Sequence, residues 1–432
     1  MKLSYLLLFG ITSIYAGCPA RADENPSGPA DHLTLAGAGR EALARNPGVQ
    51  EALSQWNAAK ERIPQEGAWD DLQLSAMSRL ARFVSIPRNG FADQTLSVSQ
   101  MIPLSGKNHL RARAAAAEAL MAYEDARRRE LDVVAQTRSS YYKLANARAQ
   151  VELNRQNLVL LKQIAEVSRV RYEAGNQGAA DVLAAETEAG KLLEDAKDLS
   201  RDVATAETQL NVLMGRDAFA PIGELDDEGR QQSDTPPAPL ERLRALTLEN
   251  RPEVRSAEDK VEAEKARLEL AHRAWIPDPS LTVEGQRYND AGQGISELDA
   301  GVSFNIPWTN GPKYAAGTRE AASNVAAAEH ALDASRQEAL GQLRAALEDI
   351  ETSHHHLHLS GEKLLAQARD GLKASEIGYE AGKVSLTDWI AAANMVRELE
   401  AMRRQQAGDY EAALAQLEAV VGTTISTNKA NQ

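Results

Sequence analysis

The chain carries two copies of one sequence pattern, and this duplication limits its possible folds more than any single motif does. Proline and glycine landmarks return in the same order at almost the same distance. Pro47 precedes Pro252 by 205 residues, Pro103 precedes Pro307 by 204, and Gly215 precedes Gly422 by 207. A near-constant offset across ordered landmarks indicates an internal repeat, so the fold must contain two copies of one unit.

The repeat also predicts how the chain is divided. We expect a signal peptide at 1–22, a first repeat at 23–216, a linker at 217–239, a second repeat at 240–424 and a C-terminal tail at 425–432. Within each repeat a short helix leads into a longer one, at about 40–66 and 240–275. Two strand-like runs, a very long helix, a Tyr-x-x-Gly turn and a final helix follow.

The very long helix is predicted from what the sequence lacks. Between Lys107 and Ala174 there is neither glycine nor proline, which permits a rod of about 100 Å at about 1.5 Å per residue. Leu144, Val151 and Leu158 recur along it every seven residues, as they do in a coiled-coil seam. The pattern therefore indicates long helices that pack side by side.

Four short runs alternate apolar with polar or small residues, as β-strands do. They lie near 72–76, 96–103, 281–285 and 300–304, and turns at Ser105-Gly106 and Asn310-Gly311 lead into the long helices. Their length suits a tilted crossing of a bilayer. Four strands cannot close a barrel, which needs about eight, and open sheet edges are not tolerated in lipid. If the strands sit in a membrane, several chains must share one barrel.

The N-terminus has the features of an export signal. Lys2 precedes a mainly apolar stretch, and Ala20-Arg21-Ala22 offers a cleavage site before Asp23. Cys18 lies in a segment similar to a lipoprotein processing box, with Tyr15 where leucine is usual. Two outcomes remain open for Cys18, lipidation or removal with the signal peptide.

Composition argues against several classes of function. The net charge of −14 and the pI near 5.2 argue against a nucleic-acid partner. No nucleophile–base pattern, phosphate loop or dinucleotide motif appears, so we expect neither an enzyme nor a cofactor. His354 and His358, one helical turn apart, are weak candidates for metal ligands, and a solvated polar helix face is the favoured explanation because no Cys, Asp or Glu completes an obvious ligand set.

A family resemblance rests on several motifs together. They are the duplicated Tyr-x-x-Gly turn with an aspartate six residues later, the closing Leu213-Met214-Gly215 and Val420-Val421-Gly422, and the strand end Ser99-Gln100-x-Ile102-Pro103. From about Leu33 to Thr424 the chain resembles the TolC-type outer-membrane efflux channels. The strand end, continued to Gly106-Lys107, is similar to the heavy-metal branch of that family.

The resemblance implies an α+β membrane protein. Its duplicated unit of coiled-coil helices and two strands would form a homotrimeric α-helical barrel, capped by a shared 12-stranded transmembrane β-barrel. Such a protein lies in the outer membrane of a Gram-negative cell, contacts its lipid and extends into the periplasm. It passively conducts substrates, including heavy-metal cations in that branch, to the exterior. Its partners are a periplasmic adaptor (membrane fusion protein) and an inner-membrane pump of the RND type.

The resemblance also assigns roles to the two turns. Adaptor docking at the periplasmic tip falls on Tyr172, Gly175, Asp181, Tyr379, Gly382 and Lys383, and a gate falls on Asp388 and Tyr379. The chain departs from the family where a second acid is expected, at Ala391, and where a basic residue is expected, at Val384. An alternative role for both aspartates is capping of the helix that follows each turn.

Two other classes of function stay open on the sequence. A periplasmic coiled-coil structural or adaptor protein would explain the long helices but not the strand pairs placed identically in both halves. A metal-binding protein or enzyme has only the histidine cluster in its favour.

Overall fold

Helices account for most of the fold. The computed structural model describes residues 32–80, 92–175, 178–226, 238–288 and 294–423, so the signal peptide at 1–22, Cys18 and the tail at 425–432 lie outside the described residues. The helices are α1 Leu35–Arg45, α2 Pro47–Gly67, α3 Lys107–Glu173, α4 Ala179–Leu213, α5 Leu240–Asn250, α6 Pro252–Arg273, α7 Gly311–His358, α8 Leu365–Glu380 and α9 Leu386–Val421.

The first two helices of each repeat meet at a proline. This boundary lies inside the predicted ranges 40–66 and 240–275. Asn46 and Arg251 are extended, with ψ of 122° and 124°, and Pro47 and Pro252 begin the next helices. A proline disfavours helical geometry in the residue before it but suits the first helical position. The Asn46 side chain also caps α2 by accepting hydrogen bonds from the backbone N–H groups of Gly48 and Val49.

The long rods are present in both repeats. α3 is one helix of 67 residues, about 100 Å long, whereas α7 and α8 are joined by a π-helical turn at Leu359–Leu364. α3 packs against α2, α4, α6 and α9. Leu144 is buried but Val151 is 37% exposed, so the predicted seven-residue seam is interrupted. In the described part of the chain, no helix is long and apolar enough to cross a membrane.

The four predicted strands form one antiparallel sheet. Two-residue strands β1 His32–Leu33 and β4 Glu224–Leu225 pair separately, in parallel. The main sheet has the order β2-β3-β5-β6, with β2 Gln73–Ser78, β3 Ala92–Met101, β5 Ser280–Tyr288 and β6 Glu297–Ser303. The central pair, β3 with β5, joins the two repeats, and β2 and β6 are left as edges.

The strand register separates apolar from polar side chains onto opposite faces. One face carries the rows Leu74–Val98–Val283–Ala300 and Ala76–Leu96–Gly285–Leu298, and the other carries Ser75–Ser97–Glu284–Asp299. Leu74 and Leu298 on the apolar face are 66% and 69% exposed. Among the described residues of the single protomer, Ile295 lies against Gly285, but most of this face stays open.

The two strand-to-rod connections differ from each other. Gly106 has a left-handed φ of 68° and precedes α3, as a turn there requires. The predicted turn at Asn310-Gly311 is wrong, because Pro307–Asn310 form a 3₁₀ turn and Gly311 is already helical, with φ −47° and ψ −47°. Pro312 at the second helical position favours a helix start there.

Candidate functional site

The two Tyr-x-x-Gly turns are the tips of two helical hairpins, α3–α4 and α8–α9. Gly175 and Gly382 have φ of 73° and 68°, the left-handed values predicted for them. A Cβ atom at either glycine would meet no atom of the described residues within 4 Å. The backbone conformation, rather than lack of space, therefore demands glycine at both tips.

The two tips pack against each other through an apolar cluster. Tyr379 and Trp389 of the second hairpin stack with ring centroids 5.1 Å apart, and both belong to a core that includes Leu161 and Ile164 of α3. Tyr379 is 3% exposed. Its hydroxyl lies 3.3 Å from the hydroxyl of Ser168 on α3, so the second tip is held to the first rod by both apolar and polar contacts.

Arg171 ties the first tip to the second. It donates hydrogen bonds from Nη1 to the carbonyl of Tyr379, at 2.8 Å, and from Nη2 to the carbonyl of Glu380, at 2.9 Å. The guanidinium also lies 4.5 Å from the centre of the Tyr379 ring. A cation at the carboxyl end of α8 satisfies helix carbonyls that lack a partner within the helix and complements the helix dipole.

Sequence reasoning did not single out Arg171. The signal was present in the repeat itself, because the residue before the repeated tyrosine is Arg171 in the first copy and Gly378 in the second. At 378 a side chain would come within 2.4 Å of Val384 Cγ2. The backbone N–H groups of Lys383 and Val384 also close the turn onto the Gly378 carbonyl.

The equivalent tyrosines occupy different environments. Tyr172 is 49% exposed and Tyr379 is 3% exposed. The structure therefore brings Tyr379 into the contact between the hairpins and leaves Tyr172 on the outside of its tip. Lys383 is exposed beside Gly382.

Neither aspartate is an N-cap, so the alternative capping role is wrong for both. Gly178 caps α4 without a side-chain hydrogen bond, and Asp181 lies in the first turn. Ser385 caps α9, and its hydroxyl accepts from the Asp388 backbone N–H and donates to Asp388 Oδ2 at 2.6 Å. Asp388 is exposed, with its carboxylate oriented by Ser385. Ala391, one turn further along α9, is exposed as well.

A shallow groove runs beside the tips between α4 and α9. It has a volume of about 370 Å³, and Leu183, Ala184, Thr187 and Ile390 are among the residues that line it. Leu183 is 62% exposed. The groove thus presents apolar side chains to solvent next to both hairpin tips.

The histidine candidates lie away from the tips, at the end of α7. Nε2 of His354 and Nε2 of His358 are 3.0 Å apart. Among the described residues, no group of three or more His, Cys, Asp or Glu side chains is arranged to hold a metal ion.

Comparisons with known proteins agree with this architecture. The sequence model of the family described as outer membrane efflux protein matches residues 38–216 and 243–423. The chain is 28% identical over 231 residues to the probable efflux pump outer membrane protein SepC of Pseudomonas putida. That alignment covers 52% of this chain and 46% of SepC, about half the length of the relative.

Two further similarities extend over more of the chain. It is 25% identical over 317 residues to the nickel-cobalt-cadmium resistance protein NccC of Alcaligenes xylosoxydans, which covers 72% of this chain and 69% of NccC. The open-state structure of the Neisseria gonorrhoeae MtrE outer membrane channel has a TM-score of 0.76 and 19% identity, over 90% of this chain and 89% of that one. The predicted fold of long duplicated helices and strands is confirmed.

Proposed function

Because the chain belongs to the outer membrane efflux protein family, we propose that it is the exit duct of a tripartite efflux system. In this proposal three copies form a passive channel that leads from the periplasm through the outer membrane to the exterior. An inner-membrane pump and a periplasmic adaptor supply the energy and the connection.

The two faces of the sheet carry this proposal. An apolar face that its own protomer leaves exposed needs either lipid or a partner to cover it. The polar face with Glu284 and Asp299 suits the wall of a water-filled lumen. The open edges β2 and β6 must pair with edges of other copies if the sheet lies in lipid. Rods of about 100 Å then continue the lumen away from the membrane.

Conductance tests the duct directly. The purified chain, reconstituted in a planar lipid bilayer, is expected to give discrete ion conductance steps and to fractionate with outer membranes in the cell. A periplasmic structural or adaptor protein would give no such steps. If wild type and Arg171→Ala, which loses the hydrogen bonds between the tips, both fractionate with the membrane but give no conductance, the channel proposal is contradicted.

The hairpin tips are the proposed adaptor-docking surface. The groove beside Leu183 and Ile390 offers apolar contact, and Tyr172 and Lys383 are exposed at the tips of the two hairpins. A photoreactive residue in place of Leu183 should cross-link to the adaptor in cells. The matched control is Val212, 55% exposed near the other end of α4. Equal cross-linking at both positions would show that docking is not localised at the tips.

The same tips form the proposed gate. Tyr379 closes the contact between hairpins, and Asp388 presents one carboxylate per chain, hence three in a trimer. A ring of carboxylates attracts cations and resists collapse through like-charge repulsion. With Ala391 where a second acid is expected, the gate has one acidic ring in this proposal.

The proposed cargo is divalent metal cations. NccC is named for nickel, cobalt and cadmium resistance, and its alignment covers more of this chain than the SepC alignment does. Deletion of the gene should raise cellular nickel, cobalt or cadmium, and expression of the chain should restore the original level. Unchanged metal content, with raised content of an organic solvent such as toluene, would reassign the cargo.

A further inference from the structure

The His354–His358 pair has a geometry that the gate and the docking surface do not use. The two residues are one turn apart on α7, both are exposed, and their ring centroids are 4.3 Å apart. A single hydrogen bond joins Nε2 of one ring to Nε2 of the other, so one ring donates and the other accepts. Two imidazole nitrogens therefore already lie next to each other on the helix surface.

The distance between these nitrogens is compatible with a shared metal ion. Metal–imidazole bonds are about 2.0–2.1 Å long, so two nitrogens at a right angle around a metal lie about 2.9 Å apart, and at a tetrahedral angle about 3.3 Å apart. The observed 3.0 Å lies near both values, so small rotations of the two exposed rings bring both nitrogens onto one ion, and imidazole nitrogens are ligands that Cu²⁺ and Ni²⁺ prefer.

Two neighbouring features make the arrangement more than a solvated helix face. The ring of His354 lies 5.7 Å from the ring of Tyr410 on α9, and Tyr410 is 4% exposed, so packing limits the orientation of His354. The π-helical turn Leu359–Leu364 begins directly after His358. Such turns often mark functional positions in helices, and α3, the equivalent rod, has none between Lys107 and Glu173.

We propose that His354 and His358 form an open, two-histidine binding site for Cu²⁺ or Ni²⁺ on the second rod. When the metal binds, the hydrogen bond between the rings breaks and each Nε2 lone pair turns toward the metal, while the proton of the donor ring moves through water to its Nδ1, so that each neutral ring carries its proton on Nδ1. In this proposal water fills the positions that the two histidines leave open. A site with two protein ligands exchanges its metal readily, which suits a point of transit rather than a structural centre.

The proposed site would bind the same class of ions as the proposed cargo. Its role in the cell rests on the proposed function, whereas the binding of Cu²⁺ or Ni²⁺ by the chain does not. The binding itself is measured on the purified full chain. Titration with CuSO₄, followed by electron paramagnetic resonance, should show one Cu²⁺ per chain with two imidazole nitrogens as ligands. The substitutions His354→Ala and His358→Ala should each weaken binding by about tenfold or more, because each removes a ligand held at high effective concentration.

Matched controls come from the same helix. His355 and His356 are neighbours whose rings are 6.1 Å apart, and His330 stands 24 residues earlier on α7. The double variant His355→Ala/His356→Ala and the variant His330→Ala should bind Cu²⁺ as wild type does. All of these side chains are exposed, and circular dichroism checks that each variant folds.

The outcomes test the metal-binding site and the proposed cargo independently of each other. Equal Cu²⁺ affinity in wild type and His354→Ala/His358→Ala, or a spectrum with one imidazole nitrogen, would overturn the site. If the two-nitrogen site is present while expression of the chain leaves cellular metal unchanged, the site stands and the proposed cargo is wrong. If metal export is observed without that site, the cargo stands and the site is wrong.

Discussion

At the scale of single residues, the guanidinium of Arg171 helps to decide how firmly the two hairpin tips hold together. Arg171→Ala removes two hydrogen bonds to α8 carbonyls and the contact with the Tyr379 ring. Hydrogen bonds from a charged donor contribute about 1.5–3 kcal/mol each when water is excluded, and less at a partly exposed site. We expect a higher resting conductance in planar bilayers, with assembly unchanged.

Two comparison variants make the Arg171 result specific. Arg169 is exposed, and its Nη2 lies 2.9 Å from Glu186 within the first hairpin, so Arg169→Ala should leave conductance unchanged. Arg171→Lys keeps the charge but loses the planar fork that reaches two carbonyls, so its conductance should be intermediate. Resting conductance equal to wild type in Arg171→Ala would refute the idea that this contact holds the tips closed.

Asp388 allows the gate to be tested without disturbing the fold. Asp388→Asn removes the charge but keeps an acceptor for the Ser385 hydroxyl. We expect a weaker preference for cations and about a tenfold rise in the Mg²⁺ concentration that half-blocks the channel. Asp181→Asn should change both quantities less. Identical selectivity and block in wild type and Asp388→Asn would mean that the narrow point is built from other residues.

Because of the Glu41–Arg216 ion pair, we expect the free energy of unfolding to depend on pH. The Arg216 guanidinium donates two hydrogen bonds to Glu41, one at 2.7 Å, and holds the pKa of that carboxyl below its usual value of 4.5. Because the folded pKa is the lower one, the pair stabilises the fold above about pH 4.5, and this contribution is lost as the pH falls through the folded pKa. Arg216→Gln should lower the melting temperature at pH 7, and by progressively less as the pH falls below 4.5, as measured by circular dichroism.

Single residues also show where sequence reasoning succeeds. Gly175 and Gly382 were predictable because a left-handed φ is a local property that a motif records. The different roles of Tyr172 and Tyr379 were not predictable from two identical motifs. Burial of Tyr379 depends on Trp389 and Arg171, which reach it only in the folded chain.

At the scale of elements, substitutions of neighbouring residues on opposite faces of the sheet should have different effects on assembly. Val98 lies on the apolar face of β3 and Ser97 on the polar face. Val98→Arg places a charge toward lipid and should destabilise the assembled sheet by about 2–4 kcal/mol near the middle of the bilayer. Ser97→Arg should assemble normally and reduce cation selectivity. Heat modifiability on gels measures assembly, and equal behaviour of both variants would contradict the assignment of faces.

One element was not predicted, although the sequence contains a sign of it. The strands were found from their alternation, a local pattern. The π-helical turn was not, although the offset between repeats grows from 204 residues at Pro103 and Pro307 to 207 at Tyr172 and Tyr379. A π turn holds more residues than an α-helical turn. Leu359–Leu364 therefore takes up part of the extra length.

At the scale of the whole molecule, the unpaired edges of β2 and β6 predict the oligomeric state. With four strands per chain, a shared barrel of twelve requires three copies. The mature protein, purified in a mild detergent, should be a trimer by native mass spectrometry, and short cross-linkers should join β2 of one copy to β6 of the next. A homogeneous monomer with intact strands would contradict both the barrel and the duct.

The pairing of β3 with β5 also sets the order of events during biogenesis. Its partners lie roughly 180–200 residues apart in sequence, so this contact closes late and slowly. Until β5 has been exported, β2 and β3 form only a hairpin, which is marginally stable alone. The newly exported first half therefore has an exposed strand edge during this time. Such an edge is prone to aggregation unless a chaperone shields it.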